Sequence, residues 1–295
     1  MHSFLKLPVF LLMMAALANE ALAVYWIDEM NQEPENYQLT RADKTKVPVT
    51  IYKTLEHGDC VEVIGVKAKL WIASDSSPKE MLSRAGVSNK CIKEEKPTSI
   101  ESSSLAEWAG RWLTNRIHAT TSRTVVSLIT RGEEGKGITM PLANQGGLRM
   151  VSGKRPLHLS WQGGKPPFSV RMVSEGGRKA VFERRDIKDR QLESDPVFLA
   201  EGMYRIEIGD AMGMTAQNLR VVSPGEMPRS RLESYGSASS RDRQAVVEAV
   251  MLASKGKGWA FEAYQTTADL APKYQPAQIL RKSLENGDIP LPMPE

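Results

Sequence analysis

The chain has 295 residues, a formal net charge of +4 and a pI near 8.9. Its two cysteines are too few for a zinc site. Beyond the first 23 residues no stretch is long and apolar enough to cross a membrane as a helix.

"MHSFLKLPVFLLMMAALANEALA" has a basic start (His2, Lys6), an apolar run from Leu7 to Leu17 and small residues at Ala21 and Ala23. This is the layout of a cleavable signal peptide, with a mature start expected at Val24; an uncleaved anchor is the alternative. No cysteine lies near the cleavage site, which argues against a lipoprotein. About 270 residues then remain, enough for two domains by length. Cys60 and Cys91 both fall in the exported part, where a pair is a candidate disulfide closing a loop of about 32 residues; two buried free thiols are the other reading. Charge is uneven. Residues 24 to 62 carry a net −4 and residues 149 to 190 a net +7. A basic stretch of that size attracts anionic partners, or is simply a solvated face. Nucleic acid is not expected outside the cytoplasm.

Residues 24 to 92 read as a small β-rich domain. Apolar residues alternate at Val49 and Ile51, at Val61 and Val63, and at Leu70 and Ile72, with Gly58, Asp59 and Gly65 between the runs. Here Gly58, Asp59, Val61, then Ala68, Leu70, then Asp75, Ser76, Ser77 resemble the strand repeats of the FecR-type periplasmic domain, without the glycine of its last turn. That resemblance implies a periplasmic regulatory module.

"KEEKPTSIESSS" (93 to 104) reads as a linker, and Ser104 with Glu107 as a capping box opening a helix. Leu105, Trp108, Ala109, Trp112, Leu113 and Ile117 recur at helical spacing on one stripe. Trp108 and Trp112 are candidate partner-docking residues, or core of their own domain. "RTVVSLITRGEEGKGITM" then reads as strand, turn and strand. Its Gly135-Lys136 is followed by Gly137, and position 130 is Thr130, so a phosphate-binding loop is excluded. Together, 105 to 145 form an amphipathic helix and hairpin connector.

From 146 to 224 the pattern is β. Leu157, Leu159 and Trp161 alternate with His158 and Ser160, which should face outward. Phe168, Val170 and Met172 follow after "QGGKPP", and Tyr204, Ile206 and Ile208 precede "GDAMG". Short strands at this spacing favour a β-sandwich. Trp161, Gly163, Gly164, Pro167, Phe168, then Gly202, Tyr204, Ile206, Ile208, Asp210, Gly213 resemble bacterial immunoglobulin-like modules, including the polycystic-kidney-disease type, over residues 148 to 222. The resemblance implies a tyrosine corner at Tyr204 and a buried core tryptophan at Trp161. Between the two motifs "EGGRKAVFERRDIKDRQLESDPVF" reads as a charged, irregular loop. Loops carry function more often than strands do, so Arg178, Lys179, Arg184, Arg185, Lys188 and Arg190 are the candidate ligand-binding residues.

After a linker (225 to 240) the chain turns helical over 241 to 287. Ala245, Val246, Ala249, Val250 and Leu252 lie near one face, Gly256 follows the helix, and Pro276 opens a last helix ending near Gly287. Trp259, Phe261 and Tyr264 resemble one tetratricopeptide unit, but such repeats need about three copies. The expected product is a helical hairpin on the sandwich or on a partner.

Catalytic patterns are thin. His57 lies near Cys60, His118 ends a helix, His158 sits on a strand, and none shares metal-ligand spacing with another. Ser76/Lys79 and Ser254/Lys257 match a Ser-x-x-Lys pattern without its partner motifs. The expectation is a mainly β chain with α: a small β-rich N-terminal domain, an Ig-like sandwich and C-terminal helices. It is expected to be a non-enzymatic binding or scaffold protein of the bacterial envelope, with no cofactor or metal. Its expected partner is an envelope protein or an anionic glycan or lipid. A FecR-like signalling component, which would keep its anchor, and an accessory hydrolase of envelope polymers are the alternatives.

Overall fold

Breakers every few residues keep the strands short from the first one on. The computed structural model describes residues 24–75, 77–93, 101–127, 137–144, 146–177, 179–228, 238–256 and 258–292; for 101–103, 118–127 and 238–240 it describes the backbone alone. The expected leader, the "GEEGK" turn, Ser76, Arg178 and Lys257 lie outside these residues.

The N-terminal unit holds eight strands: β1 (Tyr25–Met30), β2 (Tyr37–Thr40), β3 (Lys46–Val47), β4 (Thr54–Leu55), β5 (Cys60–Val63), β6 (Lys69–Ser74), β7 (Glu80–Ser83) and β8 (Asn89–Cys91). They form two four-stranded sheets, β4-β1-β6-β7 and β3-β2-β5-β8. Cys60 and Cys91 face each other across β5 and β8 and are joined as a disulfide. The expected strand at Val49 and Ile51 is absent. Both side chains are buried, but the local backbone is committed elsewhere: Ile51 N–H donates to Thr114 Oγ1 at 2.9 Å and Tyr52 N–H to Ile27 O at 2.6 Å.

Thr114 belongs to α1 (Glu101–Ser127), which starts three residues before the expected cap at Ser104. Glu107 is turned toward the N-terminal unit instead. Its carboxylate accepts the Thr54 N–H and the Lys53 ammonium, both at 3.2 Å, and ties the helix to that unit. Residues 123–127, expected as a strand, continue the helix. Once a helix is nucleated, adding a β-branched residue costs only a few tenths of a kcal/mol. Gly110 allows the close approach of α1: a Cβ there would overlap the Ile51 carbonyl oxygen.

The sandwich holds β9 (Leu148–Val151), β10 (Gly153–Arg155), β11 (His158–Ser160), β12 (Phe168–Ser174), β13 (Ala180–Ile187), β14 (Gln191–Glu193), β15 (Val197–Leu199), β16 (Gly202–Gly209) and β17 (Met214–Val222). One sheet has the order β13-β12-β16-β17-β9, antiparallel except for the parallel β17–β9 pair. Two separate two-stranded ladders, β10–β15 and β11–β14, make up the rest of the sandwich. Leu157, Leu159, Trp161, Phe168, Val170, Met172, Tyr204, Ile206 and Ile208 are all buried, as their alternation requires. Trp161 meets Phe168 edge-on with centroids 5.3 Å apart, and the Tyr204 hydroxyl donates to Ala200 O at 3.0 Å. That last bond is the tyrosine corner of an immunoglobulin-like sandwich. The expected charged loop is not irregular: it supplies β13, β14 and β15. Charge hid the strand, because β13 is an edge strand with most of its residues in water.

Three helices close the chain: α2 (Ala238–Ser254), α3 (Trp259–Thr266) and α4 (Gln275–Glu285). They pack on each other and on α1, while α3 also lies against β9 and α4 against β1. The fold is thus mainly β, with an N-terminal β unit, an Ig-like sandwich and a C-terminal helical region touching both. Among the described residues no helix is long and apolar enough to cross a membrane.

Gly110→Ala should lower unfolding free energy by about 1–3 kcal/mol through overpacking against Ile51, although alanine is the better helix former. Gly213→Ala, with no atom within 4 Å of the added carbon, should change it by less than about 0.5 kcal/mol. Urea midpoints of the two variants check this.

Candidate functional site

The positions named from sequence scatter along β13 and the turn after it. Lys179 and Lys188 are exposed. Arg184 lies 3.4 Å from Asp195, and Arg185 donates to Glu183 at 2.8 Å. Arg190 is structural. Its guanidinium donates to Gly163 O (2.9 Å) and Gly164 O (3.1 Å), bracing the Gly-Gly turn over the Phe168 ring. Trp108 and Trp112 are half-buried against the core, with Arg116 over the Trp112 ring.

A second group of cations was not singled out from sequence. The strand register puts Glu183, Arg171, Glu207 and Ala216 in one row across β13, β12, β16 and β17. Neighbouring rows pair Arg205 with Asn218 and Met203 with Arg220. These residues share the outer face of the five-stranded sheet, opposite the buried Val170, Met172, Ile206 and Leu219. Glu207 is held between Arg171 (3.6 Å) and Arg205 (3.3 Å). At the end of this face a groove of about 410 Å³ is lined by Glu201, Gly202, Met203, Arg220, Val221, Val222 and Glu226. Strand period would have found these arginines: each follows a buried residue by one position.

On the other side of the sandwich α3 caps the edge of β11. Gln265 of α3 bonds the backbone of His158 both ways, accepting from N–H (2.8 Å) and donating to O (2.7 Å). Glu262, 2% exposed, accepts from the Val151 N–H at 3.0 Å and from both terminal nitrogens of Arg155. His158, expected to face outward, is buried. Burial first, and the charge of Arg281 second, hold its imidazolium pKa below the usual histidine value, while Glu193 and Asp269 oppose this.

A third polar group joins the N-terminal unit to α4. Asp28, fully buried, accepts from Trp26 Nε1 (3.0 Å) and from the Tyr274 hydroxyl (2.7 Å), and its other oxygen lies 2.6 Å from the Lys79 ammonium. Tyr274 has one proton and gives it to Asp28, so the Tyr52 hydroxyl 3.0 Å away is the donor between the two phenols. Burial pushes both phenol pKa values well up, which keeps them donors at any physiological pH. Arg243 stacks over Trp26 and Tyr52. Both phenol protons are committed to holding α4 on β1.

Each Ser-x-x-Lys pattern has one member, Ser76 or Lys257, outside the described residues. Cys60 is in the disulfide, so it offers no thiolate, and His57 Nδ1 lies 3.0 Å from Lys93 O. Lys79 is taken by Asp28 and Glu29, and Ser254 donates to Met251 O. The His118 side chain is outside the described residues. Among the described residues no three His, Cys, Asp or Glu gather as a metal site.

Strand order, the parallel β9–β17 pair and the tyrosine corner define an immunoglobulin-like β-sandwich protein. No family model and no curated protein matches the chain. Among solved structures it is similar to CopC from Methylosinus trichosporium OB3b, at 18% identity and a TM-score of 0.22, over 33% of this chain and 96% of that one. It is also similar to the N-terminal four Ig domains of Dscam1 isoform 6.44, at 9% identity and a TM-score of 0.21. That match covers 68% of this chain and 44% of the Dscam1 fragment, less than half of its length.

His158 binds a proton more readily once unfolding exposes it. Stability should therefore be level above the ordinary histidine value near 6.5 and fall as pH drops below it. Urea midpoints at pH 7.5 and 5.5 should differ more for the native chain than for His158→Gln; equal differences would mean that the pH response comes from other groups.

Proposed function

We propose that the chain is an exported, non-enzymatic binding or scaffold protein of the bacterial cell envelope, engaging a protein or an anionic glycan through its Ig-like module. The observation carrying this reading is an asymmetry of the sandwich. α3 bonds the edges of the sandwich at β9 and β11, while the outer face of the five-stranded sheet, with Arg171, Arg205 and Arg220, and the strand β13 lie in water. A face carrying several exposed arginines is suited to bind there.

Export is supported by the leader pattern in residues 1–23 and by the Cys60–Cys91 disulfide, a bond that persists in oxidising compartments. Within this proposal residues 24–92, 146–224 and 241–287 are the β-rich, Ig-like and helical domains, and 225–240 links the last two. Arg184 and Arg185 are its first binding residues, with Lys179, Lys188 and Arg178 beside them in sequence; Arg190 acts through the turn it braces.

A crosslinking pull-down of residues 24–295 from envelope extract tests the reading. Arg184→Glu with Arg185→Glu should weaken recovery of the dominant partner about tenfold or more, since reversing rim charges adds repulsion to lost attraction. Full recovery with the double variant, its circular dichroism unchanged, would remove β13 from the binding surface.

A further inference from the structure

The two cysteines of the chain form a disulfide that the fold does not bury. The strand register puts Lys46, Thr40, Cys60 and Cys91 in one row across β3, β2, β5 and β8. Leu39 and Val61, one position along, are buried, so this row lies on the outer face of the sheet. The neighbouring outward row, Gln38, Glu62 and Asn89, is polar throughout. Cys91 itself is exposed and Cys60 half-buried.

The two sulfurs differ in how they can be approached. In thiol–disulfide exchange a thiolate attacks one sulfur while the other leaves, and access decides which is attacked. Beside Cys60, away from Cys91, stands β2 with Thr40. Cys91 lies on β8, the last strand of its sheet, and no strand pairs beyond it among the described residues. A thiolate therefore reaches Cys91 from the open edge, with Cys60 as the leaving sulfur.

Opening the bond leaves the two thiols facing each other, because β8 is held to β5 by more than sulfur. Ile92, 3% exposed, anchors the end of the strand. Its N–H donates to Asp59 O at 2.9 Å, and its carbonyl accepts from the Gly58 N–H at 2.8 Å. At the other end the Val63 N–H donates to Ser88 O at 2.8 Å, and between them Lys90 pairs with Glu80 and lies over the Tyr25 ring. Exposed disulfides are the labile ones, and this pair is set by the backbone to reclose.

We propose that Cys60–Cys91 is a reversible thiol-exchange site, opened at Cys91 by a dithiol protein of the thioredoxin-like class. One thiolate of that protein bonds to Cys91 Sγ as the bond to Cys60 breaks, and Cys60 leaves as a thiolate that takes a proton from water. The second thiolate of the dithiol protein then attacks its own sulfur in the mixed disulfide and releases Cys91. The chain gains two electrons and two protons, and the dithiol loses them as it becomes a disulfide. The site lies in the N-terminal unit, apart from the Ig-like surface proposed for binding.

Residues 24–295 without denaturant are incubated with reduced glutathione, and separately with a thioredoxin whose second active-site cysteine is serine, which traps the mixed disulfide. Samples are quenched with iodoacetamide and mapped by mass spectrometry. Both adducts should sit on Cys91 at least about tenfold more than on Cys60. Dithiothreitol should reduce the bond at rates differing less than about tenfold between no urea and urea above the unfolding midpoint, with the near-ultraviolet circular dichroism of the reduced native chain retained. Reduction that appears only as the chain unfolds, loss of that dichroism on reduction, or an adduct chiefly on Cys60 would each overturn the proposal. A glutathione adduct without a thioredoxin adduct would overturn it too, since the opening thiol would then not be a protein's.

Discussion

A carboxylate buried to zero exposure must be met by charge and donors from within the protein, because leaving it unpaired is strongly destabilising. Asp28 in β1 is met by Lys79 from its own unit and by Tyr274 from a segment 246 residues further on. Beside it, the backbone N–H of Met30 donates to the side chain of Gln275, and the Gln275 N–H donates to Glu29, each at 3.0 Å. The first turn of α4 thus completes the hydrogen bonding at the end of β1. Losing one partner of such a group costs more than the bond itself, because the other is left buried and unpaired. The C-terminal helices are therefore part of the N-terminal unit's packing.

The same helices bind the sandwich by a second set of buried polar contacts. Glu262 and Gln265 lie three residues apart, close to one helical turn, and so project from the same side of α3 onto Val151, Arg155 and His158. Together the two contact sets make the helical region a bridge between the two β units.

Much of the sandwich was legible because its signal is local. Tyr204, Ile206 and Ile208 alternate within one strand, and the turn residues on either side bound it. The Cys60–Cys91 pair was legible from compartment and spacing. What failed was non-local or masked. His158 alternates like an outward residue, but it is buried, and its backbone bonds to α3, a hundred residues later. The strand β13 was hidden because an edge strand holds few apolar positions. The start of α1 was missed because Glu107, a good capping residue by spacing, is engaged by Lys53 and Thr54 instead. Arg171, Arg205 and Arg220 were within reach: alternation around Val170 and Ile206 marks them, but the denser run of charge in β13 is the stronger signal along the chain.

The buried contacts of the helical region with both β units predict one cooperative structure. Native-state hydrogen exchange of residues 24–295 in increasing urea tests this most directly. The core amides of β1, β6, β12, β16 and α4 should converge on a single opening free energy, that of global unfolding. Two separate values, with β1 and β6 opening while β12 and β16 stay protected, would show that the units are independent beads and that the bridge carries no stability.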